Sequence, residues 1–303
     1  MFYGHNGKNF ARSGSPIQNN PIDRSVAISY NSLDSSKILV ANSWIVDVAG
    51  TAYNPWSIAG HLALDAQKNI FVPRVWDTTV LIQPAGVETD SPNDGFFWGR
   101  FWEYFRYPSG IAIDNTRGKV FISDNIDVGT GAGGLHTGGR IKVFDLSLRN
   151  RNIWYSMYGG PIGTPPQPII IPVTRLVGAF PNDLAVDETN GFLYVTDSLQ
   201  HVIKKFDIRN PVSAGAIVEL QPIGSKGSGN NQLLFPQGID TDPQGNVYVA
   251  DAGNHRIEKF DSQGNFVQTF GTYGLGAGKL WYPYGLAVDP TYNLVYVTDP
   301  YNK

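Results

Sequence analysis

The chain has no cysteine, little charge and no long hydrophobic run. Because its 303 residues include no cysteine, disulfides, thiol catalysis and cysteine-based zinc sites are all excluded. Asp, Glu, Lys and Arg make up only 16% of the residues, well under the roughly 25% of an average soluble domain, which argues against disorder and coiled coil. No stretch of 18 apolar residues occurs and no leader peptide is visible, so the sequence predicts no membrane span.

The balance of charge is close to even. There are 23 Lys and Arg against 26 Asp and Glu, which gives a net charge of −3. This balance gives no electrostatic reason to expect nucleic acid or another polyanion as partner. Low charge, absent cysteine and many Asn, Gly and aromatic residues suit an exported microbial protein, so we expect an extracellular or cell-surface location.

Four segments of the chain repeat one pattern. Each has an aromatic residue and proline, a short apolar run that ends in Asp, a turn, and a second apolar run that ends in Asp. Short runs rich in β-branched and aromatic residues, bounded by Gly, Pro, Asn and Asp, are typical of strands. A constant core with spacers of variable length indicates a repeat architecture with loop insertions. The four copies cover residues 107–124, 180–197, 235–251 and 282–299.

A third and a fourth apolar run follow this core. The third reads RIKVFD at 140–145, VIKKFD at 202–207 and RIEKFD at 256–261, and NFVQTFG at 265–271 is an example of the fourth. Four antiparallel strands of this length make one blade of a β-propeller. The segment FPQGIDTDPQGNVYVADAGNHRIEKFDSQGNFVQTFG resembles a near-consensus NHL repeat. The resemblance is strongest over residues 235–303 and weakest in the first hundred residues.

Two weaker copies, at 23–42 and 59–74, can be placed upstream. The resemblance then implies an all-β fold, a six-bladed β-propeller of NHL-like four-stranded blades that forms a single domain over residues 1–303. The last copy stops at Lys303 after its second strand. Either the N-terminal segment closes the ring with three strands in that blade, or the chain is a fragment of a longer polypeptide. The inner strands are expected near residues 24–29, 60–65, 109–114, 182–187, 237–242 and 284–289.

The connectivity of a blade places the long insertions on one face. The loop from second to third strand and the link into the next blade both lie at the end where the first strand begins, here called the upper face. We assign to it the insertion 125–139, the segment 159–179 and the aromatic tract 96–107. Loops on a rigid scaffold commonly carry binding residues.

Two groups of residues on this face are candidates for binding. The aromatic tract either belongs to the core or contacts a partner, and both readings stay open. The second group follows the proline of the repeat, where the mouth of the central channel is expected. The candidates in the tract are Phe97, Trp98, Arg100, Trp102, Tyr104 and Arg106, and those at the channel mouth are Arg24, Gln237 and Tyr284.

Metal ligands are sparse at the channel mouth. Related six-bladed enzymes use His there for zinc, but here the one nearby His is His61, which we interpret as a packed or hydrogen-bonded imidazole. Catalytic zinc needs three protein ligands and an open position, and this ring does not supply them. The segment 180–197 also resembles gluconolactonase and paraoxonase-like propellers, which place a calcium-binding Asn where this chain has Asn182. Asn182 and Asp183 are therefore a candidate calcium site, although Gln237 stands where those enzymes carry Asp.

The favoured hypothesis is a non-catalytic scaffold that binds through its upper-face loops. A protein partner or self-assembly is the expected interaction, a small molecule is an alternative ligand, and no cofactor is expected apart from the candidate calcium. No catalytic residue is assigned. The alternative function is a divalent-metal-dependent hydrolase or lactonase of the gluconolactonase or paraoxonase-like type.

Overall fold

Nearly all regular structure in the chain is β-strand, as the repeat pattern predicted. Short 3-10 turns such as Ala252–Asn254 are the exception. In the part of the chain that the structure describes, no helix is long and apolar enough to cross a membrane. This structure is a computed structural model that describes residues 25–30, 38–42, 61, 63–67, 70–74, 79–83, 108–125, 139–146, 155–156, 160–161, 169–172, 179–210, 217–290 and 293–302.

The described residues form 23 short strands. The first eleven are β1 Ser25–Tyr30, β2 Ile38–Asn42, β3 Ala63–Leu64, β4 Ile70–Arg74, β5 Thr79–Gln83, β6 Pro108–Asp114, β7 Lys119–Asn125, β8 Gly139–Asp145, β9 Tyr155–Ser156, β10 Gly160–Pro161 and β11 Ile169–Pro172. The others are β12 Pro181–Asp187, β13 Phe192–Asp197, β14 Val202–Asp207, β15 Val218–Glu219, β16 Pro236–Thr241, β17 Val247–Asp251, β18 Arg256–Phe260, β19 Phe266–Phe270, β20 Thr272–Tyr273, β21 Lys279–Leu280, β22 Leu286–Asp289 and β23 Leu294–Val297.

Three antiparallel four-stranded sheets form the best-defined blades. Their strand orders are β6-β7-β8-β11, β12-β13-β14-β15 and β16-β17-β18-β19. The strands β3 to β5 form a three-stranded sheet, and β1-β2 and β22-β23 are antiparallel pairs. The first strands of these six sheets lie at the positions where inner strands were predicted, so the pattern of the repeat located the inner strands.

The hydrophobic cores lie between neighbouring sheets. Phe121 of β7 shares a core with Leu193 of β13, and Tyr194 on the opposite side of β13 shares the next core with Val249 of β17. Alternate residues of one strand thus pack against two different sheets, which is the radial packing of a propeller. The first strands contact one another in the order β3, β6, β12, β16 and β22, and β22 also contacts β1. The number of six blades stays a prediction.

One assignment of the sequence analysis is wrong. The segment 159–179 was expected to be a link between blades, but β11 within it pairs with β8 as the outer strand of its sheet. The three isoleucines of β11 supply a strand for the otherwise open edge of β8, whose backbone groups need partners. The insertion 125–139 does fall between β7 and β8, as predicted, while most of it and the aromatic tract 96–107 lie outside the described residues.

Candidate functional site

The described candidates for the channel mouth come together at the start of the inner strands. Asn182 and Asp183 open β12, Gln237 opens β16, and Tyr284 lies two residues before β22. The other candidates, which lie outside the described residues, are Arg24, Phe97, Trp98, Arg100, Trp102, Tyr104 and Arg106.

Side chains of neighbouring blades bind one another at this mouth. Asn182 Nδ2 donates to Gln237 Oε1 over 2.8 Å, and both residues are buried. Asn182 also shares a hydrogen bond with the phenol of Tyr284, whose pKa burial raises to about 12. The phenol therefore stays neutral in the physiological range, and the mouth presents amides and a hydroxyl rather than charges.

His61 and Asp183 form a pair across the channel. The two atoms His61 Nδ1 and Asp183 Oδ2 are 3.0 Å apart, and both side chains are buried. His61 precedes β3 while Asp183 lies on β12, and the sheet of β6 stands between those two sheets. The ring of Tyr284 stacks on the imidazole with a centroid distance of 5.6 Å and an interplanar angle of 5°. Residues of four sheets thus meet in one cluster, which we call the axial cluster: His61, Asn182, Asp183, Gln237 and Tyr284.

Burial keeps the axial cluster close to neutral. It lowers the pKa of His61 to about 3. It also raises the pKa of Asp183 well above its usual value, and this effect outweighs the hydrogen bond from the backbone N–H of Ile239, which lowers that pKa. The pKa of the neighbouring Asp240 is also raised by burial, to about 6. Because burial disfavours its charged form, the imidazole is a weak base that stays neutral at pH 7, and it cannot hold an anion by charge.

The interpretation of His61 as a hydrogen-bonded imidazole is confirmed, but its pairing with Asp183 was missed. When the repeats are aligned, the sequence does mark His61 and Asp183 as a pair of unusual residues. The residue after the channel-mouth position is glycine in three copies, and His61 and Asp183 occupy that position in two others. A Cβ atom at Gly110 would lie only 2.3 Å from the carbonyl oxygen of Asn182, so a side chain at this position must have its own space. The three glycines are Gly110, Gly238 and Gly285.

One of the oxygen atoms proposed for calcium already has partners. Asp183 Oδ2 contacts the imidazole of His61 and accepts the N–H of Ile239. The hydrogen bond from Asn182 to Gln237 uses Nδ2 of the amide and not its oxygen. Among the described residues, no three His, Asp or Glu side chains are grouped as metal ligands. Calcium takes six to eight oxygen ligands, so these contacts would have to be exchanged for it to bind. A calcium ion at Asn182 and Asp183 stays a prediction.

An exposed group of apolar side chains lies beside the axial cluster on the upper face. Tyr273, Leu275 and Trp281 belong to the link from β19 to β22, and Tyr301 follows β23. We call these four residues the upper-face patch; Leu275 is 66% exposed and Tyr273 is 61% exposed. The ring of Trp281 lies 6.2 Å from the rings of both Tyr273 and Tyr301. The patch is therefore a continuous surface, unlike scattered exposed apolar residues.

Tyr282 joins this patch to the channel mouth. Its ring packs edge-on against Tyr301 with centroids 6.2 Å apart, and its hydroxyl shares a hydrogen bond with Gln237. The upper-face patch and the axial cluster are consequently two parts of one surface around the mouth of the channel.

Solved structures define the class of the fold. An auxiliary nutrient binding protein from Bacteroides thetaiotaomicron superposes with a TM-score of 0.61 at 12% identity, over 92% of this chain and 67% of that one. A gluconolactonase from Xanthomonas campestris gives a TM-score of 0.57 at 14% identity, over 92% of this chain and 85% of that one. At these identities the likeness shows the fold alone, and the chain is an all-β protein of propeller type.

The sequence of one blade identifies the kind of repeat. Residues 233–260 match the family model of the NHL repeat. A stretch of 64 residues is 42% identical to the protein lin-41 of Caenorhabditis elegans, over 20% of this chain and 6% of that protein. The chain thus contains an NHL repeat at 233–260, as the motif at 235–271 predicted, and the match spans only a small part of that relative.

Proposed function

We propose that the chain is a non-catalytic binding propeller that holds a protein partner, and foremost a second copy of itself, on its upper face. The observation that carries this proposal is the upper-face patch. Folded monomers seldom expose contiguous apolar surface without using it, and Trp and Tyr are enriched among the residues that dominate binding energy. The predicted aromatic tract would enlarge the same face, and we propose the extracellular or cell-surface location that the composition favours.

The rings of the patch are held by the blade beneath them. Asp299 accepts the backbone N–H of Trp281 over 2.6 Å and that of Tyr282 over 3.1 Å. His255 contacts the carbonyl oxygen of Trp281 from the neighbouring blade and packs against Tyr273 with ring centroids 4.8 Å apart. Because the backbone of this link is already fixed, binding would cost little ordering entropy.

Substitution of Trp281 and Tyr301 by alanine is expected to weaken self-association tenfold or more, because truncating a central aromatic contact commonly costs about 2 kcal/mol or more. Sedimentation velocity over a range of protein concentrations measures the dissociation constant of the self-association. Leu294→Ala is the matched control, since Leu294 is 47% exposed at the opposite end of the blade. A wild-type chain that stays monomeric at every concentration, or an association that the two substitutions leave unchanged, would contradict the proposal.

A metal-dependent hydrolase or lactonase is the second candidate function. It is favoured by the meeting of Asn182, Asp183 and His61 at one end of the channel, where a substrate could enter. A divalent cation held there would supply Lewis acid chemistry at a carbonyl group. A nearby His or carboxylate would handle the proton.

Calcium analysis separates the two functions. We expect chelator-treated protein that is reloaded with calcium to hold no stoichiometric ion, because Asp183 Oδ2 already accepts the N–H of Ile239 and contacts the imidazole of His61. Elemental analysis after gel filtration measures the stoichiometry. One bound calcium per chain that is lost in Asn182→Ala, but kept in Asn190→Ala at the lower turn of the same blade, would favour the hydrolase instead.

A further inference from the structure

The aromatic rings of the upper-face patch form a chain of contacts that continues into Tyr282. The ring of Tyr273 meets that of Trp281 at an interplanar angle of 83°, and the rings of Tyr282 and Tyr301 meet at 89°. Trp281 and Tyr301 connect these two pairs, and the ring centroids lie 6.2 Å apart in each contact. Rings that meet edge to face leave a notch between the face of one ring and the edge of the other.

The chemistry of these rings suits proline. None of the side chains in the patch is charged, and proline rings are the apolar groups that aromatic-lined grooves recognise in extended peptides. A P-x-x-P segment already favours the polyproline II helix, so it loses little entropy when it binds. Its two prolines lie on one side of that helix, about 9 Å apart. A chain of four aromatic rings is long enough to receive both.

The sequence itself contains such a segment. Residues 164–168 read TPPQP, and Pro165 and Pro168 have the only P-x-x-P spacing in the 303-residue chain. The surrounding stretch 160–172 has no charged residue, so contact with the apolar patch would desolvate no charge. The segment lies outside the described residues, and it joins directly to Ile169, the first residue of β11.

This point of attachment lies at the opposite end of the blades from the patch. β6 begins at the upper face, and β8 also runs away from that face, because β7 between them is antiparallel to both. β11 is antiparallel to β8, so Pro172 pairs with Arg140 near the upper end and Ile169 lies towards the lower end. The sheets of β12 and β16 also stand between the sheet of β6 and that of β22. Five residues span at most about 18 Å, so the segment cannot reach the patch of its own copy.

We propose that the upper-face patch binds the proline-rich segment 164–168 of a second copy, so that copies associate head to tail. This inference rests on the proposed function and names the part of the partner that the patch contacts. Each copy contributes two different surfaces, the patch above and the segment below, instead of the same patch twice. Contacts between unlike surfaces produce a ring when the rotation closes and an open filament when it does not.

A synthetic peptide of residues 162–169, IGTPPQPI, tests the contact itself. It is added to the ¹⁵N-labelled proline variant, Pro165→Ala with Pro168→Ala, in which the patch is intact. We expect a saturable shift of the Trp281 indole N–H resonance, which is assigned by its loss in Trp281→Phe. The control peptide IGTAAQAI should bind at least tenfold more weakly, because it lacks the proline rings. The absence of a saturable shift, or equal affinity for both peptides, would overturn the inference.

Sedimentation velocity tests the head-to-tail arrangement. The proline variant should self-associate at least tenfold more weakly than the wild-type chain, whereas Pro243→Ala with Pro290→Ala, at exposed lower turns of other blades, should not. Mixed with the Trp281→Ala and Tyr301→Ala double variant, the proline variant should form a 1:1 complex that grows no further. The reason is that each of the two chains then retains only one of the two surfaces.

The outcomes distinguish this inference from the function on which it rests. If the proline variant self-associates as tightly as the wild-type chain, or if the folded variants form no complex when mixed, the head-to-tail contact is wrong and the patch remains a binding surface. A wild-type chain that is monomeric at every concentration contradicts the proposed function and this inference with it. Urea unfolding of each variant shows whether it is folded.

Discussion

Replacement of Asp251 by alanine is expected to lower the free energy of unfolding by about 3–5 kcal/mol, because it breaks a buried ion pair from one side. Asp251 is fully buried at the end of β17. Its carboxylate accepts the N–H of Leu234 over 2.7 Å and bonds from Asn254 Nδ2 and Arg256 Nε over 2.7 and 2.8 Å. Urea denaturation followed by tryptophan fluorescence measures the loss.

The reason for so large an effect is that Asp251 is one of two buried carboxylates that pair with Arg256; the other is Glu258, 2.6 Å from the guanidinium. The guanidinium also donates to the carbonyls of Ser228, Gly229 and Gln232, and so ties β18 to the link between two blades. Asp261→Ala is the matched control, since that carboxylate caps an exposed turn through Gln263 and Asn265. A loss for Asp251→Ala no larger than for Asp261→Ala would show that the buried network contributes little to stability.

The strands could be predicted from the sequence because each is specified locally. A run such as FLYVTD alternates between two buried sides and ends at a turn, so its neighbours along the chain suffice to identify β13. The Asp that ends each second strand holds a corner of the blade. Asp197 accepts the N–H of Gln200 in the next turn and that of Phe180 in the link before β12.

The outer strands were harder to predict because their pairing is decided elsewhere. Residues 169–172 read as part of a proline-rich linker, and only the open edge of β8 makes them a strand. The strand Val218–Glu219 is likewise only two residues long and both residues are exposed, so no alternation of buried and exposed residues marks it in the sequence. Edge strands with little burial leave almost no pattern in the sequence.

The axial cluster could be predicted only in part. Asn182, Gln237 and Tyr284 occupy equivalent positions of the repeat, so an alignment of the copies predicts that they lie together at the channel mouth. The pair of His61 and Asp183 joins sheets that are not neighbours, and its distance depends on how the blades are arranged about the channel. The aligned copies nevertheless mark both residues, because they replace a glycine that the other blades require.

That requirement leads to the second large effect: Gly238→Ala is expected to destabilise the fold by about 1–3 kcal/mol through overpacking. A Cβ atom at Gly238 would lie 2.5 Å from the carbonyl oxygen of Tyr284 and 2.9 Å from both Gly285 Cα and Leu286 N. All three are backbone atoms at the start of the next inner strand or in the two residues before it, so no side chain can rotate away to relieve the contact. The N–H of Gly238 also donates to the carbonyl of Tyr284 over 2.7 Å, and this bond would lengthen.

Gly229→Ala provides the comparison, because the nearest atom to its Cβ is the flexible end of Gln232 at 3.0 Å. Gly229→Ala should change the free energy of unfolding by no more than about 0.5 kcal/mol, as is usual for an exposed position. In Gly238→Ala the strain falls on Tyr284, so the stacked ring and the resonance of His61 should shift together with the loss of stability. If Gly238→Ala were as stable as Gly229→Ala, the inner strands would not be in close contact at the channel mouth. The glycines at this position of the repeat would then not explain why His61 and Asp183 meet.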